Sequence, residues 1–202
     1  MRPLQYKPDD PLLHHAELPV RVYENDEVQG PRIARTRQAV EQAIASVGSK
    51  YPTILSLGCG TGDVEGPFAE RARVVGVDCN PDAIAHARER FPREIFYEHD
   101  IETLSRRPCD VLILAETLEH LRDPAAFVKR WLPRARSVVI THPIDEPLES
   151  SCSGGDHSWA FDDYDLRQWT EMGGHSLEEC FKFQMGGYLI GLARGRLLDT
   201  AP

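Results

Sequence analysis

The chain has 202 residues, 41% of them hydrophobic and 27% charged, and its 23 Lys+Arg against 32 Asp+Glu leave a formal net charge of −9 at pH 7. Length and apolar content suit one globular domain spanning residues 1–202 and exclude disorder as the main state. The acidic balance argues against an unaided nucleic-acid binder.

No run approaches the roughly 18 consecutive apolar residues that cross a bilayer. The opening Met1 to Pro8 lacks the apolar stretch of a secretion signal, so the expected location is the cytoplasm, with no membrane partner. Cys59, Cys79, Cys109, Cys152 and Cys180 are odd in number and contain no C-x-x-C pair. That pattern argues against a disulfide framework or a zinc knuckle and predicts free thiols.

Residues 1–30 hold scattered prolines, the pair His14-His15 and the acidic run Glu24 to Glu27 without a sustained period, which reads as an irregular arm. Over 31–48, Ile33, Ala34, Val40, Ala43, Ile44 and Val47 recur at helical spacing, with Pro31 suited to a first turn and Gly48 to a stop. A leading helix therefore precedes a core expected over 53–202.

The core alternates short β-branched runs with amphipathic stretches. Strands are predicted at Thr53 to Leu57, Val74 to Val77, Glu94 to Tyr97, Asp110 to Leu114 and Ser137 to Thr141. Two of the intervening helices have clear starts, at Asn80-Pro81-Asp82 and at Asp123-Pro124. After a loop from Asp145 to Asp156, Asp162 or Asp163 is placed to cap a helix from Tyr164 to Met172, which Gly173-Gly174 ends. Apolar runs from Cys180 to Met185 and from Tyr188 to Ala193 flank Gly186-Gly187 as a hairpin. Together these predict an α/β chain: a Rossmann-like, doubly wound, mostly parallel sheet with an antiparallel C-terminal hairpin strand and helices on both faces.

The strongest site signal is Gly58-Cys59-Gly60-Thr61-Gly62, directly after a strand and before a predicted helix. Glycines at alternate positions let the backbone turn tightly and approach a ligand that side chains would exclude. Asp78 ends the next strand, where a carboxylate can accept both ribose hydroxyl protons of a nucleoside. The G-x-G-x-G spacing differs from the G-x-G-x-x-G of dinucleotide sites, which argues against a nicotinamide cofactor.

With these landmarks the sequence resembles the class I S-adenosylmethionine-dependent methyltransferases from about Thr53 onward. The resemblance implies S-adenosylmethionine as cofactor. It implies that Gly58, Cys59, Gly60 and Gly62 lie beside the methionine part, that Asp78 and Cys79 lie at the ribose, and that Asp100 and Ile101 lie near the adenine. Glu116, after the fourth strand, is implied at the same pocket.

The segment Glu116-Thr117-Leu118-Glu119-His120 runs on to Asp123-Pro124. This E-x-x-E-H pattern resembles small-molecule methyltransferases, including ubiquinone-pathway O-methyltransferases, where it shapes the pocket floor or handles protons. It also resembles enzymes that 2′-O-methylate small RNA, which pair it with a later histidine segment, here Asp156-His157 to Phe161. In that alternative Glu116, Glu119, His120 and His157 hold a divalent cation that lowers the pKa of a hydroxyl. The acidic charge and the lack of a basic stripe weigh against RNA, and a bound metal is not favoured.

An acceptor hydroxyl must lose a proton as it attacks, a task suited to imidazole. His157 and His142 are the preferred bases, with His120 and Glu116 as further candidates. Trp159, Phe161 and Tyr164 are candidates for an acceptor wall, and Arg21, Tyr23 and Arg32 for an arm folded over the cofactor. Glu65, Asp145, Glu146 and Glu149 are read as solvated acids, and His14 and His15 as solvated. The sequence thus predicts methyl transfer to an oxygen, or less readily a nitrogen, of a small-molecule acceptor. A nucleoside-binding accessory subunit without chemistry is the alternative from another class. Neither the acceptor's identity nor the oligomeric state is written in it.

Overall fold

The computed structural model describes residues 1–3, 26–144, 157–185 and 188–198. Helix α1 spans Asp26–Ser46, followed by strands β1 (Thr53–Leu57) and β2 (Arg73–Asp78), helix α2 (Pro81–Arg90), and strands β3 (Ile95–Glu98) and β4 (Cys109–Ala115). Helix α3 (Pro124–Trp131), strand β5 (Ala135–Ile144), helix α4 (Asp163–Met172), and strands β6 (His175–Met185) and β7 (Tyr188–Leu197) complete the order. The seven strands lie in the order β3-β2-β1-β4-β5-β7-β6. The first five are parallel, and β7 runs antiparallel to both β5 and β6. This is the α/β architecture read from the sequence, antiparallel hairpin included.

Alternation along the strands divides the core between two faces. Ile54, Val111, Ile113 and Val139 pack under α1 through Ala39, Val40, Ala43 and Val47. Leu55, Leu57, Leu112, Leu114 and Ile140 point to the opposite face, against Phe127 and Trp131 of α3 and Leu166 and Trp169 of α4. Each such side chain contributes about 1.5–3 kcal/mol on full burial, which is what holds helices on a parallel sheet.

The helix starts follow local chemistry. Asn80 accepts from the amides of Asp82 and Ala83 with Pro81 in the first turn, and Asp123 accepts from that of Ala126. Asp162, rather than Asp163, begins α4 through a reciprocal capping box with Asp165.

Several expectations are corrected. Helix α1 starts at Asp26, so Pro31 lies inside it, at the cost of one intrahelical bond. The glycine loop is followed by a three-residue 3-10 turn, Gly66–Phe68, instead of a helix, because Pro67 and its neighbour Gly66 disfavour a longer one. The hairpin strands are longer than the apolar runs suggested, and pairing to β5 continues β7 as far as Arg196. Arg2–Pro3 pairs antiparallel with Trp159–Ala160, so the start of the chain is not wholly irregular. His14, His15, Arg21, Tyr23, Asp145, Glu146, Glu149, Cys152, Asp156 and the Gly186-Gly187 turn lie outside the described residues. The described cysteines are free thiols, and no described helix is long and apolar enough to cross a membrane.

Candidate active site

Parallel strands carry their connecting loops to one edge, so the carboxyl ends of β1, β2, β4 and β5 bring most of the predicted residues together. The loop after β1 is pinned to β2: the amides of Gly58 and Cys59 donate to the Val77 carbonyl at 2.8 and 3.1 Å. Gly58 and Gly62 have φ of 76° and 77°, in the left-handed region that favours glycine. A Cβ on Gly58 would stand 2.5 Å from the Thr117 hydroxyl oxygen, and one on Gly62 would stand 2.9 Å from the Phe96 ring. Backbone fills the space that side chains would need.

Asp78 closes this loop from the end of β2. Its carboxylate accepts from the Gly60 amide at 2.8 Å and from the Asn80 amide at 2.9 Å. Burial raises its pKa, opposed by the amides of Asn80, Gly60 and Cys79. Burial and the acids Glu65 and Asp78 push the Cys59 thiol well up, and burial and Asp78 take Cys79 to about 12, so both stay protonated.

Asp100 follows β3 and accepts from the Glu102 amide at 2.8 Å, while Ile101 is buried. Arg130 of α3 fixes this corner from below, donating to the carbonyls of Ile101, Glu102 and Leu104.

Beyond β4 the chain turns through Glu116, the one non-glycine residue with positive φ (53°) among those described. Such backbone strain costs about 1–3 kcal/mol and persists where the surroundings enforce it. Here the Glu116 amide donates to Thr141 at 2.9 Å, and the Thr117 hydroxyl donates to the Leu57 carbonyl at 3.0 Å. The β4 turn is thus locked against the glycine loop and β5.

The two histidine segments meet next to this turn. The Ser158 amide donates to the Glu119 carbonyl at 2.7 Å, and the Trp159 indole donates to the Leu121 carbonyl at 2.7 Å. The His120 and His157 rings sit edge to face with centroids 4.9 Å apart. A carboxylate oxygen of the fully buried Glu119 lies 3.9 Å from Nε2 of His120. Ligand atoms of Glu119, His120 and His157 all fall within 4.8 Å of one another. Glu116 is not in that group.

His142 is placed differently. It is fully buried, its Nδ1 3.0 Å from the Pro143 carbonyl, and its ring contacts Phe161 and Trp169. Of the proposed aromatic wall, Phe161 is core, Trp159 is partly buried and Tyr164 is exposed. Arg32 bonds Gln29 within α1.

Three contributors were not legible in the sequence. Arg37 of α1 grips the glycine loop through the Asp63 carbonyl, Thr117 braces it, and Glu65 is fully buried rather than solvated. An isolated arginine, threonine or acid carries no periodic signal. Only the packing of separate elements gives each its part.

Residues 54–138 match a family model described as a methyltransferase domain. Among curated relatives, trans-aconitate 2-methyltransferase from Escherichia coli O1:K1 / APEC is 33% identical over 93 residues, 44% of this chain and 37% of that protein. The trans-aconitate 2-methyltransferase of Rhodopseudomonas palustris (strain BisB5) is 32% identical over 123 residues, 56% of this chain and 48% of its own length. The chain thus spans less than half the length of these relatives. Among solved structures, the N-methyltransferase NodS from Bradyrhizobium japonicum WM9 with bound S-adenosyl-L-homocysteine superposes with a TM-score of 0.71 at 20% identity, covering 93% of this chain and 97% of that one. Magnesium protoporphyrin IX methyltransferase from Synechocystis PCC 6803 with bound SAM gives 0.70 at 15%, covering 86% and 83%. At those identities the shared property is the fold. The match over residues 54–138, the glycine loop, the carboxylate that closes it and the strand order together make this segment similar to the methyltransferase domains of the class I, S-adenosylmethionine-dependent enzymes.

Proposed function

We propose that the chain transfers a methyl group from S-adenosylmethionine to an oxygen, less readily a nitrogen, of a small metabolite in the cytoplasm. The observation that carries the reading is the bond from the Gly60 amide to Asp78, which closes a glycine-rich loop around a carboxylate at the strand ends. That cradle fits a nucleoside whose ribose meets Asp78. Gly58, Cys59, Gly60 and Gly62 would flank the methionine part, Cys79 the ribose, and Asp100 and Ile101 the adenine. Glu116, aimed by its strained backbone, would face the reacting end. Relatives named for trans-aconitate support a small acceptor.

The bound cofactor supplies a methyl group already activated by its sulfonium. The chain's own task is to hold the acceptor in line and take one proton. His157 and His120, which meet edge to face beyond β4, are the bases this reading assigns. His142, wedged between aromatic rings, is the less accessible base. Calorimetry with S-adenosylhomocysteine, followed by methyl transfer to a panel of hydroxy and carboxylic acids, tests the reading. Binding without transfer to any acceptor would favour an accessory role, and no binding would end both.

The grouping of Glu119, His120 and His157 favours a second reading, in which these side chains hold a divalent cation that polarises an acceptor hydroxyl, as in metal-assisted 2′-O-methylation of RNA. Titration with Mn²⁺ of the wild type, Glu119→Ala and His157→Ala decides it. Uptake that both changes leave unaltered would end this reading.

A further inference from the structure

Glu65 stands at the start of the 3-10 turn that follows the glycine loop, where an acid ordinarily caps the turn from solvent. It makes no cap bond; its side chain is fully buried, and neither carboxyl oxygen has a hydrogen bond of normal geometry. No cation pairs with it among the described residues. Its surroundings are the Ser56 hydroxyl of β1, Asp63 and Cys59 of the loop, and Asp78 at the end of β2. Two arginines reach neighbouring Asp63 instead: Arg37 of α1 bonds its carbonyl and Arg90 of α2 its carboxylate. An ionised carboxylate here would face two other acids without a counter-charge, and such burial is tolerated only by the neutral form.

We propose that Glu65 is a positioning residue of the cofactor loop, a buried neutral acid that props the glycine segment against β1 and, on losing its proton, loosens it and weakens cofactor binding. The inference rests on the loop being the cofactor site. It assigns Glu65 an action through Asp78 and the loop backbone, with no contact to the cofactor. Burial pushes its carboxyl up to about 8, against its own amide and Ser56, which favour the charged form, with Asp63 and Asp78 adding to the rise. Neighbouring Asp63 differs: against burial, which raises it, Arg90 and Thr61 hold its pKa low, so it stays ionised. Cys59 titrates far above this range.

The test is the dissociation constant of S-adenosylhomocysteine by calorimetry between pH 6.5 and 9.5, for the wild type, Glu65→Gln and Ser56→Ala. The wild type should bind about tenfold more weakly at pH 9 than at pH 7, since each pH unit above the group's pKa removes a factor of ten from the neutral form. Glu65→Gln, with no proton to lose, should flatten that component whatever its absolute affinity. Ser56→Ala, which removes a group favouring the charged form, should move the break to higher pH. A wild-type profile that Glu65→Gln leaves unchanged would overturn the proposal while leaving the cofactor site standing. Absence of binding at every pH would remove the site and the proposal together.

Discussion

Replacing Gly58 by alanine tests the central geometry, because the added methyl has two separable costs. At φ of 76° an L side chain is disfavoured by about 1–2 kcal/mol. The new Cβ would also stand 2.5 Å from Oγ1 and 2.8 Å from Cγ2 of Thr117, and forced overpacking of this kind costs about 1–3 kcal/mol. Thr117 cannot swing aside freely, since its hydroxyl holds the Leu57 carbonyl at 3.0 Å, a bond worth about 1 kcal/mol net. Gly58→Ala should therefore lose about 2–5 kcal/mol in urea denaturation. Thr117→Ala alone should lose about 1 kcal/mol, and the double variant should recover the clash, a coupling of about 1–3 kcal/mol in the cycle. The reasoning fails if Gly58→Ala costs under about 0.5 kcal/mol, or if the two changes simply add.

Asp78→Asn should weaken S-adenosylhomocysteine binding by about 10- to 100-fold, because an amide nitrogen would face the Gly60 or Asn80 donor and the charge proposed to receive ribose hydroxyls is gone; calorimetry reads this directly. If His157 takes the acceptor proton, His157→Ala should lower kcat about 10²- to 10⁴-fold while the cofactor's dissociation constant stays within a factor of about three, read by steady-state kinetics once an acceptor is known. Glu65 also links stability to pH. Its folded pKa of about 8 lies above the unfolded value, so its contribution is fully present below the ordinary carboxylate range and is lost as pH rises toward 8. Between pH 5.5 and 7.5 the wild type should lose about 2–3 kcal/mol relative to Glu65→Gln in parallel urea titrations, and equal slopes for the two proteins would contradict the burial argument.

The architecture was legible because its causes are local and repeated. β-branched runs of strand length, Asn80 and Asp123 before proline, and the capping acid before Tyr164 each act within a few residues, and their alternation leaves one sheet topology. The glycine triplet and Asp78 were readable for the same reason: their spacing reflects one turn and one strand. Boundaries set by competition were less so. Pro31 reads as a helix start, yet packing of Ala39, Val40 and Ala43 stabilises a helix long enough to carry it inside. Behind the glycine loop, Gly66-Pro67 overrode the expectation of a helix.

Roles that depend on distant segments meeting belong to the tertiary structure. His120 and His157 are 37 residues apart in sequence, and their rings meet edge to face where the Ser158 amide and the Trp159 indole bind the segment after β4. His142 follows the same pattern along β5, yet lies among aromatic side chains. Glu65 looked like any solvated acid, until the sheet, the loop and the turn closed over it. The chain encodes its elements through propensities that each residue carries alone. Burial and neighbouring charge are properties of the assembled neighbourhood, and they decide which acids and imidazoles can exchange a proton.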